Sequence, residues 1–463
     1  MKGAHRALKG AYPKEEVMDH PDTSLPRVVI VGGGFAGLAA AKKLTKAPVG
    51  VTLIDKRNFH LFQPLLYQVA TGGLSPANIT TPFRGFLKNQ KRVLILMGEV
   101  LDVDFQARKV ITEQEAISYD FLILALGSRT SYFSHGDWAE RAPGLKTIED
   151  AVRIRNTLLR SFEEAEHLEN QEAQRPWLSF VVVGAGPTGV ELAGALSELA
   201  HGTLRGNFKR FDLSQVRVIL IEAKDQVLPG GFPPSLQEAA KRALKSLHVE
   251  VITQAMVETI EEGSLTLNKD GTKQTIQAKT ILWTAGIQAL SLAGVIAKKA
   301  GVELVKGKAI PTNPDLSLPG HPEVFILGDL ALVKDSDGKP LPQLASVATQ
   351  EGKYVADLIQ KRIEGKKSKP FKFRNLGTMV TIGRKKAVAQ VLKIKLRGYP
   401  AWLVWLFVHL MNLVQFENRM LVFVQWAWSY LTRNRSARLI TEPGKPPPYE
   451  GSLHADNLSG PHR

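Results

Sequence analysis

Two glycine-rich hexapeptides have the residue types and spacing of loops that bind nucleotide phosphates. Residues 32–37 (GGGFAG) and residues 184–189 (GAGPTG) both fit the pattern G-x-G-x-x-G. In the first loop Gly32 permits a tight turn, Gly34 lets the backbone approach a pyrophosphate, and Gly37 lets a helix pack closely on the preceding strand. The N–H groups at the start of that helix then face the phosphates. Two such loops predict two dinucleotide sites in one chain.

Each loop lies in a segment whose order is strand, loop, helix, strand and acidic residue, which is the order of a βαβ unit. A single G-x-G-x-x-G is also compatible with an ordinary glycine turn, but two copies in the same context favour nucleotide binding. The apolar runs that flank the loops are residues 27–31, 51–54, 180–183 and 216–221.

The acidic residues that end the second strands are Asp55 and Glu222. An acid at this place binds ribose hydroxyls. A carboxylate at Glu222 would also repel a 2′-phosphate, so NADH is favoured over NADPH at the second loop.

Residues 325–329 (FILGD) indicate which loop holds the flavin. A strand ending in Gly-Asp resembles the late flavin motif of two-dinucleotide oxidoreductases, in which the aspartate, here Asp329, binds the ribityl chain of FAD. The alternative is an ordinary strand ending in a turn. The residues predicted to bind FAD are Gly32, Gly34, Phe35, Ala36, Gly37, Asp55, Lys56, Val100, Gly127, Asp329 and Ala345, and those predicted to bind NADH are Gly184, Gly186, Thr188, Gly189, Glu222 and Gly286.

The chain of 463 residues contains no cysteine, so disulfides, thiolate metal sites and thiol redox relays are excluded. Its net charge of +16 is concentrated at the C-terminal end, where residues 361–463 hold 19 Lys and Arg against 5 Asp and Glu. A basic block of this kind favours an anionic partner such as a phospholipid surface.

Residues 399–431 are aromatic, apolar and nearly uncharged. The runs 401–416 and 420–431, interrupted at residues 417–419, are both shorter than the roughly 20 residues that span a bilayer. Tryptophans at 402, 405, 426 and 428 with basic flanks predict an in-plane, monotopic membrane anchor. A buried helical hairpin at a dimer interface and a transmembrane hairpin are the alternatives.

The predicted fold class is α/β, with two Rossmann-like domains and a C-terminal amphipathic helical segment that docks on a membrane. The predicted parts are a mobile extension (1–24), the FAD domain (25–150 and 275–362), the inserted NAD domain (151–274), the membrane-docking domain (363–440) and an irregular tail (441–463).

These features together resemble the type II NADH dehydrogenase family, whose members are single-subunit NADH:quinone oxidoreductases. The most specific stretches are residues 60–72 (HLFQPLLYQVATG) and 183–194 (VGAGPTGVELAG). The resemblance implies electron flow from NADH to FAD to a membrane quinone without proton pumping. We also predict a homodimer, no nucleic-acid partner, and a peripheral location on the cytoplasmic face of the cell membrane, where anionic lipid and a lipid-soluble acceptor are both within reach.

Three residues are predicted to take part in catalysis through this resemblance. Glu191, placed by the sequence in the first turn of the helix after the second loop, would lie near the nicotinamide; its other interpretation is a carboxylate favoured by the helix dipole. Residues 345–350 (ASVATQ) resemble the family's quinone-site pattern A-Q-x-A-x-Q. Gln350 matches the second glutamine, whereas Ser346 replaces the first and offers a hydroxyl instead of an amide.

Other interpretations stay open at this stage. Tyr67 and Gln68 either border the flavin or quinone or are a packed tyrosine and a surface glutamine, and His60 and His409 are predicted to pack rather than to bind metal. An NADH reductase of a soluble carrier such as ferredoxin or rubredoxin, and a flavin redox sensor that binds nucleic acid, are the alternative functions.

Overall fold

The structure is a computed structural model that describes residues 24–305, 309–432, 435 and 437–441. The predicted N-terminal extension and irregular tail therefore lie, apart from residues 24 and 441, outside the described residues. Two parallel sheets, each followed by a nucleotide-type helix, form the centre of the fold.

The first sheet has six strands and draws them from both ends of the chain. All neighbours are parallel except the edge pair Ser317–Leu318 and His321–Ile326. Its central strands are buried on both faces, as expected for a parallel sheet covered by helices. The strand order is Ser317–Leu318, His321–Ile326, Phe121–Leu124, Arg27–Val31, Gly50–Asp55 and Val93–Met97.

The second sheet is fully parallel, in the order Val249–Ile252, Arg217–Ile221, Ser179–Val183 and Thr280–Trp283. The last of these strands, Thr280–Trp283, follows the predicted domain boundary at residue 275 and was therefore assigned to the second part of the FAD domain. It pairs instead with Ser179–Val183, because its apolar side chains complete the buried face of the second sheet.

Helices lie against both sheets. The first nucleotide helix, Phe35–Leu44, is crossed by the long helix Ala345–Ile363 so closely that a Cβ at Gly352 would overlap the carbonyl oxygen of Ala36. This contact joins the predicted quinone-site residues to the first loop. The other helices of the two sheets are Leu66–Ala70, Phe83–Leu87, Trp138–Arg141, Ile148–His167, Gln171–Gln174, Pro187–Glu198, Pro234–Lys245 and Ser291–Lys299.

Short sheets connect these layers, and all are antiparallel except the pair Ile310–Pro311 and Ala331–Leu332, which is parallel. Their strands are Val100–Asp104, Lys109–Thr112 and Ala116–Ser118; Ala255–Glu261, Ser264–Lys269 and Thr272–Gln277; Phe59–Leu61 and Thr80–Pro82; Arg129–Thr130 and Ile287–Gln288; and Ile310–Pro311 and Ala331–Leu332.

The C-terminal region contains a sheet that the sequence interpretation missed. Its strands are Gly377–Gly383, Lys386–Val391 and Ile394–Arg397, and they precede the C-terminal helices Tyr399–Asn412 and Phe416–Thr432. A Cβ at Gly194 would overlap the carbonyl oxygen of Ile382, so this sheet packs directly on the second nucleotide helix, Pro187–Glu198.

The break between the two C-terminal helices is not where the charges at residues 417–419 indicated. It lies at residues 413–415, and the predicted interruption is helical. Asn418 is buried and donates to the carbonyl of Thr80, while Arg419 Nε donates to the carbonyl of Leu413 at the end of the first helix. These polar side chains therefore fix the helix pair to the protein.

Candidate functional site

The first glycine loop has an open face in front of its helix. Gly32 has φ +99°, and a side chain there would collide with the carbonyl of Ala125, so only glycine fits. A Cβ at Gly37 would overlap the carbonyl oxygen of Gly32, which closes the helix onto the strand. Gly34 differs, because a Cβ there meets nothing within 4 Å. The space beside Gly34 is where the backbone can receive a pyrophosphate.

The second loop repeats this geometry. Gly184 also has φ +99°, and a Cβ at Gly189 would overlap the carbonyl oxygen of Gly184. A Cβ at Gly186 again meets nothing within 4 Å. Thr188 is exposed in the first turn of the helix that follows. The residues at both loops thus fit a dinucleotide.

The two acids at the strand ends are held in the same way. Asp55 accepts hydrogen bonds from the N–H of Gly33 (2.6 Å) and of Arg57 (2.8 Å). Glu222 accepts from the N–H of Ala185 (2.7 Å) and of Lys224 (3.0 Å). Each carboxylate is thereby fixed beside its own loop, at the place where ribose hydroxyls would lie.

Asp329 lies in a small polar group with Ser128 and Lys146, two residues that the sequence interpretation did not identify. Its carboxylate accepts from the Ser128 hydroxyl (2.6 Å) and lies 3.6 Å from Lys146 Nζ. Gly127, next to Ser128, has φ +69° and open space where a side chain would point. Ser128 was identifiable as the residue that follows Gly127, which the sequence assigned to the FAD site, whereas Lys146 lies in no motif.

The other residues predicted at the two nucleotides occupy varied positions. Ala36 and Val100 are buried, whereas Lys56 is exposed directly after Asp55. Phe35 meets the ring of His60 edge-on at 5.1 Å. Gly286 has φ +80°.

The predicted site residues of the helix Ala345–Ile363 differ in exposure and in hydrogen bonding. Ala345 is its first residue and Ser346 is exposed. The amide of Gln350 is already paired at both ends, because it donates to the carbonyl of Arg374 (3.0 Å) and accepts from the N–H of the same residue (3.0 Å). Gln350 therefore ties this helix to the connector before the C-terminal sheet.

Glu351, which the sequence interpretation missed, is 1% exposed and accepts a hydrogen bond from the N–H of Gly328 (2.6 Å). Burial, opposed by this hydrogen bond and reinforced by the charge of Asp329, raises the pKa of Glu351 to about 7. A carboxyl that titrates near neutrality thus lies next to the Gly-Asp motif. In the sequence, Glu351 lies within a predicted helix and no motif distinguishes it from an acidic residue on the surface.

Glu191 lies in the second turn of the helix Pro187–Glu198, not in the first, which has no acidic residue. It faces the C-terminal region instead of the helix dipole. Burial raises its pKa to about 8, against hydrogen bonds from the Thr381 backbone and the Trp405 side chain. The buried Trp405 Nε1 has no hydrogen-bond partner of standard geometry, so its donor interaction with Glu191 is weak. At neutral pH the Glu191 carboxyl is therefore mainly protonated.

Tyr67 and Gln68 join this group to the second C-terminal helix. Tyr67 is buried, and burial together with the charge of Glu191 raises its pKa well above the usual value for tyrosine. Gln68 donates to the Tyr67 hydroxyl (2.9 Å) and accepts from Trp426 Nε1 (2.7 Å). Gln68 is thus a connecting residue, not a free surface glutamine.

Comparison with known proteins agrees with this geometry. Residues 26–352 match the family described as pyridine nucleotide-disulphide oxidoreductase, and residues 375–434 match the NDH2 C-terminal domain. The chain is 40% identical over 424 residues to the type II NADH:quinone oxidoreductase Ndh of Mycobacterium tuberculosis, covering 90% of each chain. It is 42% identical over 425 residues to NdhA of the same organism, covering 90% of this chain and 89% of the relative. The chain belongs to the type II NADH:quinone oxidoreductase family.

The structure of NDH2 from Plasmodium falciparum in complex with NADH superposes with a TM-score of 0.82 at 21% identity, covering 90% of this chain and 100% of that one. The predicted α/β fold class is confirmed by this likeness and by the family matches. Membership of the type II family also confirms the predicted FAD-dependent NADH:quinone oxidoreductase activity. The chain holds no cysteine, so the disulfide chemistry in the name of the wider family has no thiol here.

The C-terminal helices, which match the C-terminal domain of this family, are apolar on their exposed side as well as on their buried side. Along Tyr399–Asn412 the exposed apolar residues recur every fourth position, and the partner helix continues the pattern. Trp405 faces the core and Trp426 binds Gln68, so of the four tryptophans only Trp428 is strongly exposed, at 61%. The exposed set, here called the apolar face, is Leu403, Phe407, Met411, Phe416, Met420, Leu421, Phe423, Val424, Trp428 and Leu431.

No helix within the described ranges is long and apolar enough to cross a membrane.

The two histidines that were predicted to pack do so. His60 Nδ1 lies 2.9 Å from the carbonyl oxygen of Gly33. His409 stacks on Trp405 at 4.3 Å, and burial lowers its pKa to about 4.

Proposed function

We propose that the first loop holds FAD and the second holds NADH, with Asp55 and Glu222 binding the ribose hydroxyls of their respective nucleotides. The observation that carries this assignment is the open space beside Gly34 and Gly186, where a Cβ would meet nothing within 4 Å, whereas a Cβ at the first or last glycine of each loop would overlap neighbouring atoms. When bound, FAD supplies the redox chemistry that accepts a hydride from NADH and passes electrons on. The protein positions the two nucleotides and excludes water.

Asp329 is assigned to the flavin side of the site. Lys146 and Ser128 hold its carboxylate in one orientation, and Gly127 leaves space next to it. This arrangement supports binding of a ribityl hydroxyl by Asp329. Glu351, in the helix Ala345–Ile363, accepts a hydrogen bond from the N–H of Gly328 and so fixes the backbone next to Asp329.

Electrons leave the flavin for a quinone, the acceptor in the name of the family. The type II reaction does not pump protons. A soluble-carrier reductase and a nucleic-acid-binding sensor are not favoured, since the C-terminal region matches the NDH2 C-terminal domain.

The quinone edge of the site is proposed to include Ser346 and Tyr67 directly and Gln68 indirectly, because Tyr67 and Trp426 occupy both groups of the Gln68 amide. Ser346 is exposed at the start of its helix, so its hydroxyl is free to face a ligand. Gln350 is proposed to act indirectly, because the Arg374 backbone occupies both groups of its amide. Breaking that pair would be needed before Gln350 could contact a quinone.

The apolar face is proposed to dock on an anionic membrane, with the helices lying in the plane of the surface. Phe407 is 64% exposed and Leu431 is 78% exposed, which is unusual for side chains of this size on a soluble surface. An exposed basic edge precedes the C-terminal helix Tyr399–Asn412 and is complementary in charge to an anionic membrane. Its residues are Lys393, Lys395 and Arg397. The homodimer and the cytoplasmic face of attachment stay predictions.

Vesicle sedimentation tests the docking proposal. Deleting the chain from Tyr399 is not suitable, because Trp405 and Val422 belong to the core. The double variant Phe407→Ser, Trp428→Ser is expected to lose most binding to phosphatidylglycerol vesicles while keeping its FAD. Met256→Ser, which removes a side chain that is 62% exposed elsewhere, is the matched control. Equal sedimentation of the double variant and the wild type would refute docking by this face.

The redox proposal is tested by NADH oxidation with the purified protein and soluble menaquinone and ubiquinone analogues. We expect NADH to bleach the flavin absorbance and each active quinone to restore it. If NADH does not bleach the flavin, the assignment of the two loops is wrong.

A further inference from the structure

A cavity of about 440 Å³ lies apart from both glycine loops, between the helix Ile148–His167 and the second C-terminal helix. Residues 437–441 of the C-terminal segment form its third wall, and the stretch before residue 80 forms the fourth. None of its lining residues belongs to the nucleotide or quinone sites proposed above. The lining residues are Ser75, Pro76, Val152, Arg155, Gln425, Ala437, Leu439 and Thr441.

Within the described part of the chain, the wall of this cavity contains a buried cation, Arg155, that has neither an anionic partner nor an acceptor for its Nε–H. Arg155 is 4% exposed, its Nη2 donates to the Thr441 hydroxyl (2.7 Å), and its Nε–H has no acceptor. Among the described residues, no carboxylate lines the cavity or pairs with Arg155. Burying a guanidinium in this way is unfavourable unless something compensates its charge.

A second polar group in the lining is also unsatisfied. Within the described residues the Oε1 atom of Gln425 is buried and accepts no hydrogen bond, so this oxygen is available to a donor. Ser75 and Thr441 add hydroxyl groups. The remaining wall is apolar, from Pro76, Val152 and Leu439. The cavity therefore combines one cation and several neutral hydrogen-bonding groups with an apolar side.

We propose that this cavity is a binding site for a phosphate-bearing anion, with Arg155 as its main ligand. A guanidinium presents N–H donors in a fixed fork that matches the oxygens of a phosphate, and its bonds to such an anion are charge-assisted. The anion would satisfy the free Nε–H and neutralise the buried charge in one step. Thr441 and Ser75 can donate their hydroxyl hydrogens to the remaining oxygens. The Gln425 Oε1 can only accept, from a P–OH group of inorganic phosphate or from a hydroxyl of the phosphatidylglycerol headgroup.

Two sources can supply this chemistry: free inorganic phosphate and the headgroup of an anionic phospholipid. The apolar wall suits the glycerol and first methylenes of a lipid. In addition, Phe423 and Val424, the residues before Gln425, belong to the exposed apolar face. The binding itself does not depend on membrane docking or on the flavin reaction, and soluble probes test it separately from both.

Isothermal titration calorimetry with the full-length, FAD-loaded chain tests the site at low salt. The probes are inorganic phosphate, monomeric dihexanoyl phosphatidylglycerol, and monomeric dihexanoyl phosphatidylcholine as the lipid without net charge. We expect the wild type to bind phosphate or the phosphatidylglycerol and to bind phosphatidylcholine at least tenfold more weakly. Binding of phosphate identifies the free anion as sufficient, whereas binding of phosphatidylglycerol alone identifies the lipid headgroup.

Arg155→Gln is expected to weaken binding of the active probe at least tenfold. Arg153→Gln is the matched control, because it removes the same charge from an exposed position of the same helix, and it should bind as the wild type does. Flavin content and thermal melting confirm that each variant folds. If Arg155→Gln does not fold, Gln425→Leu replaces it and should bind several-fold more weakly than the wild type. The proposal is overturned if the wild type binds neither anion, or if the folded variant binds as tightly as the wild type.

Discussion

Replacing Glu191 by glutamine separates the role of its charge from the role of its shape. Glutamine keeps the size and the hydrogen-bonding geometry of the protonated carboxyl, but it cannot ionise. The pKa of Glu191 is raised to about 8 by burial, so the wild type at neutral pH already resembles the variant. The two proteins should therefore differ little below pH 7 and increasingly above it.

The size of the difference follows from that pKa. At pH 7 about one tenth of the carboxyls are ionised, and at pH 9 about nine tenths are, by simple titration around a pKa of about 8. We propose that Glu191 lies near the nicotinamide, where its carboxylate would stabilise the positive charge that develops as the hydride leaves. If only the ionised form assists, its contribution to the rate of flavin reduction rises about tenfold between these pH values.

Anaerobic stopped-flow measurement of flavin bleaching by NADH gives this rate directly. We expect Glu191→Gln to reduce its flavin more slowly, with a deficit that grows with pH and is half-developed near pH 8. A wild-type rate without an inflection in this range, or a constant ratio of the two rates, would refute the reasoning. An unchanged reductive half-reaction at every pH would remove Glu191 from catalysis.

Stability provides an independent readout of the same group. Between its usual pKa of 4.5 and its folded value of about 8, the folded protein holds a proton that the unfolded chain releases. The free energy of unfolding therefore falls as pH rises through this window, by up to about 5 kcal/mol for a shift of this size. Glu191→Gln should lack this decrease and be the more stable protein above pH 8, as measured by urea unfolding across the pH range.

Three further predictions test other parts of the site. Gly34→Ala should fold normally but lose FAD, because its Cβ enters the open space beside the loop, whereas Gly37→Ala should fail to fold; flavin content and thermal melting distinguish them. Glu222→Gln keeps only one of two acceptor oxygens, so the ratio of kcat/KM for NADH over NADPH should fall about tenfold, as steady-state kinetics will show. Glu351→Ala should lower the free energy of unfolding by about 1–3 kcal/mol, because the N–H of Gly328 loses its acceptor, and Glu351→Gln should not; equal urea midpoints for the two variants would contradict this.

The sequence predicted the nucleotide loops and strand-end acids because these features are local. Gly32, Gly34 and Gly37 lie within six residues, and their spacing follows from one turn between a strand and a helix. The boundary at residue 275 was misplaced for the opposite reason. The strand Thr280–Trp283 is apolar enough for either sheet, and only its pairing with Ser179–Val183 decides between them.

The C-terminal region shows the same limit. Its apolar helical runs were readable, but the sheet beginning at Gly377 was not, and the helix break was placed at residues 417–419. Asn418 and Arg419 are compatible with helix because distant carbonyl groups accept their hydrogen bonds. Hydropathy alone cannot distinguish such satisfied polar side chains from a break.

By itself, the sequence determined that this chain carries two glycine-rich dinucleotide loops, no cysteine thiol, and an apolar, tryptophan-rich C-terminal region of the type II family. Only the tertiary structure decided that the Gln350 amide forms hydrogen bonds with the Arg374 backbone. It also decided that burial raises the pKa of Glu191 to about 8 and that of Glu351 to about 7. The reason is physical. Loop geometry depends on neighbours along the chain, whereas a pKa depends on how completely distant segments remove a carboxyl from water, and those segments meet only when the chain has folded.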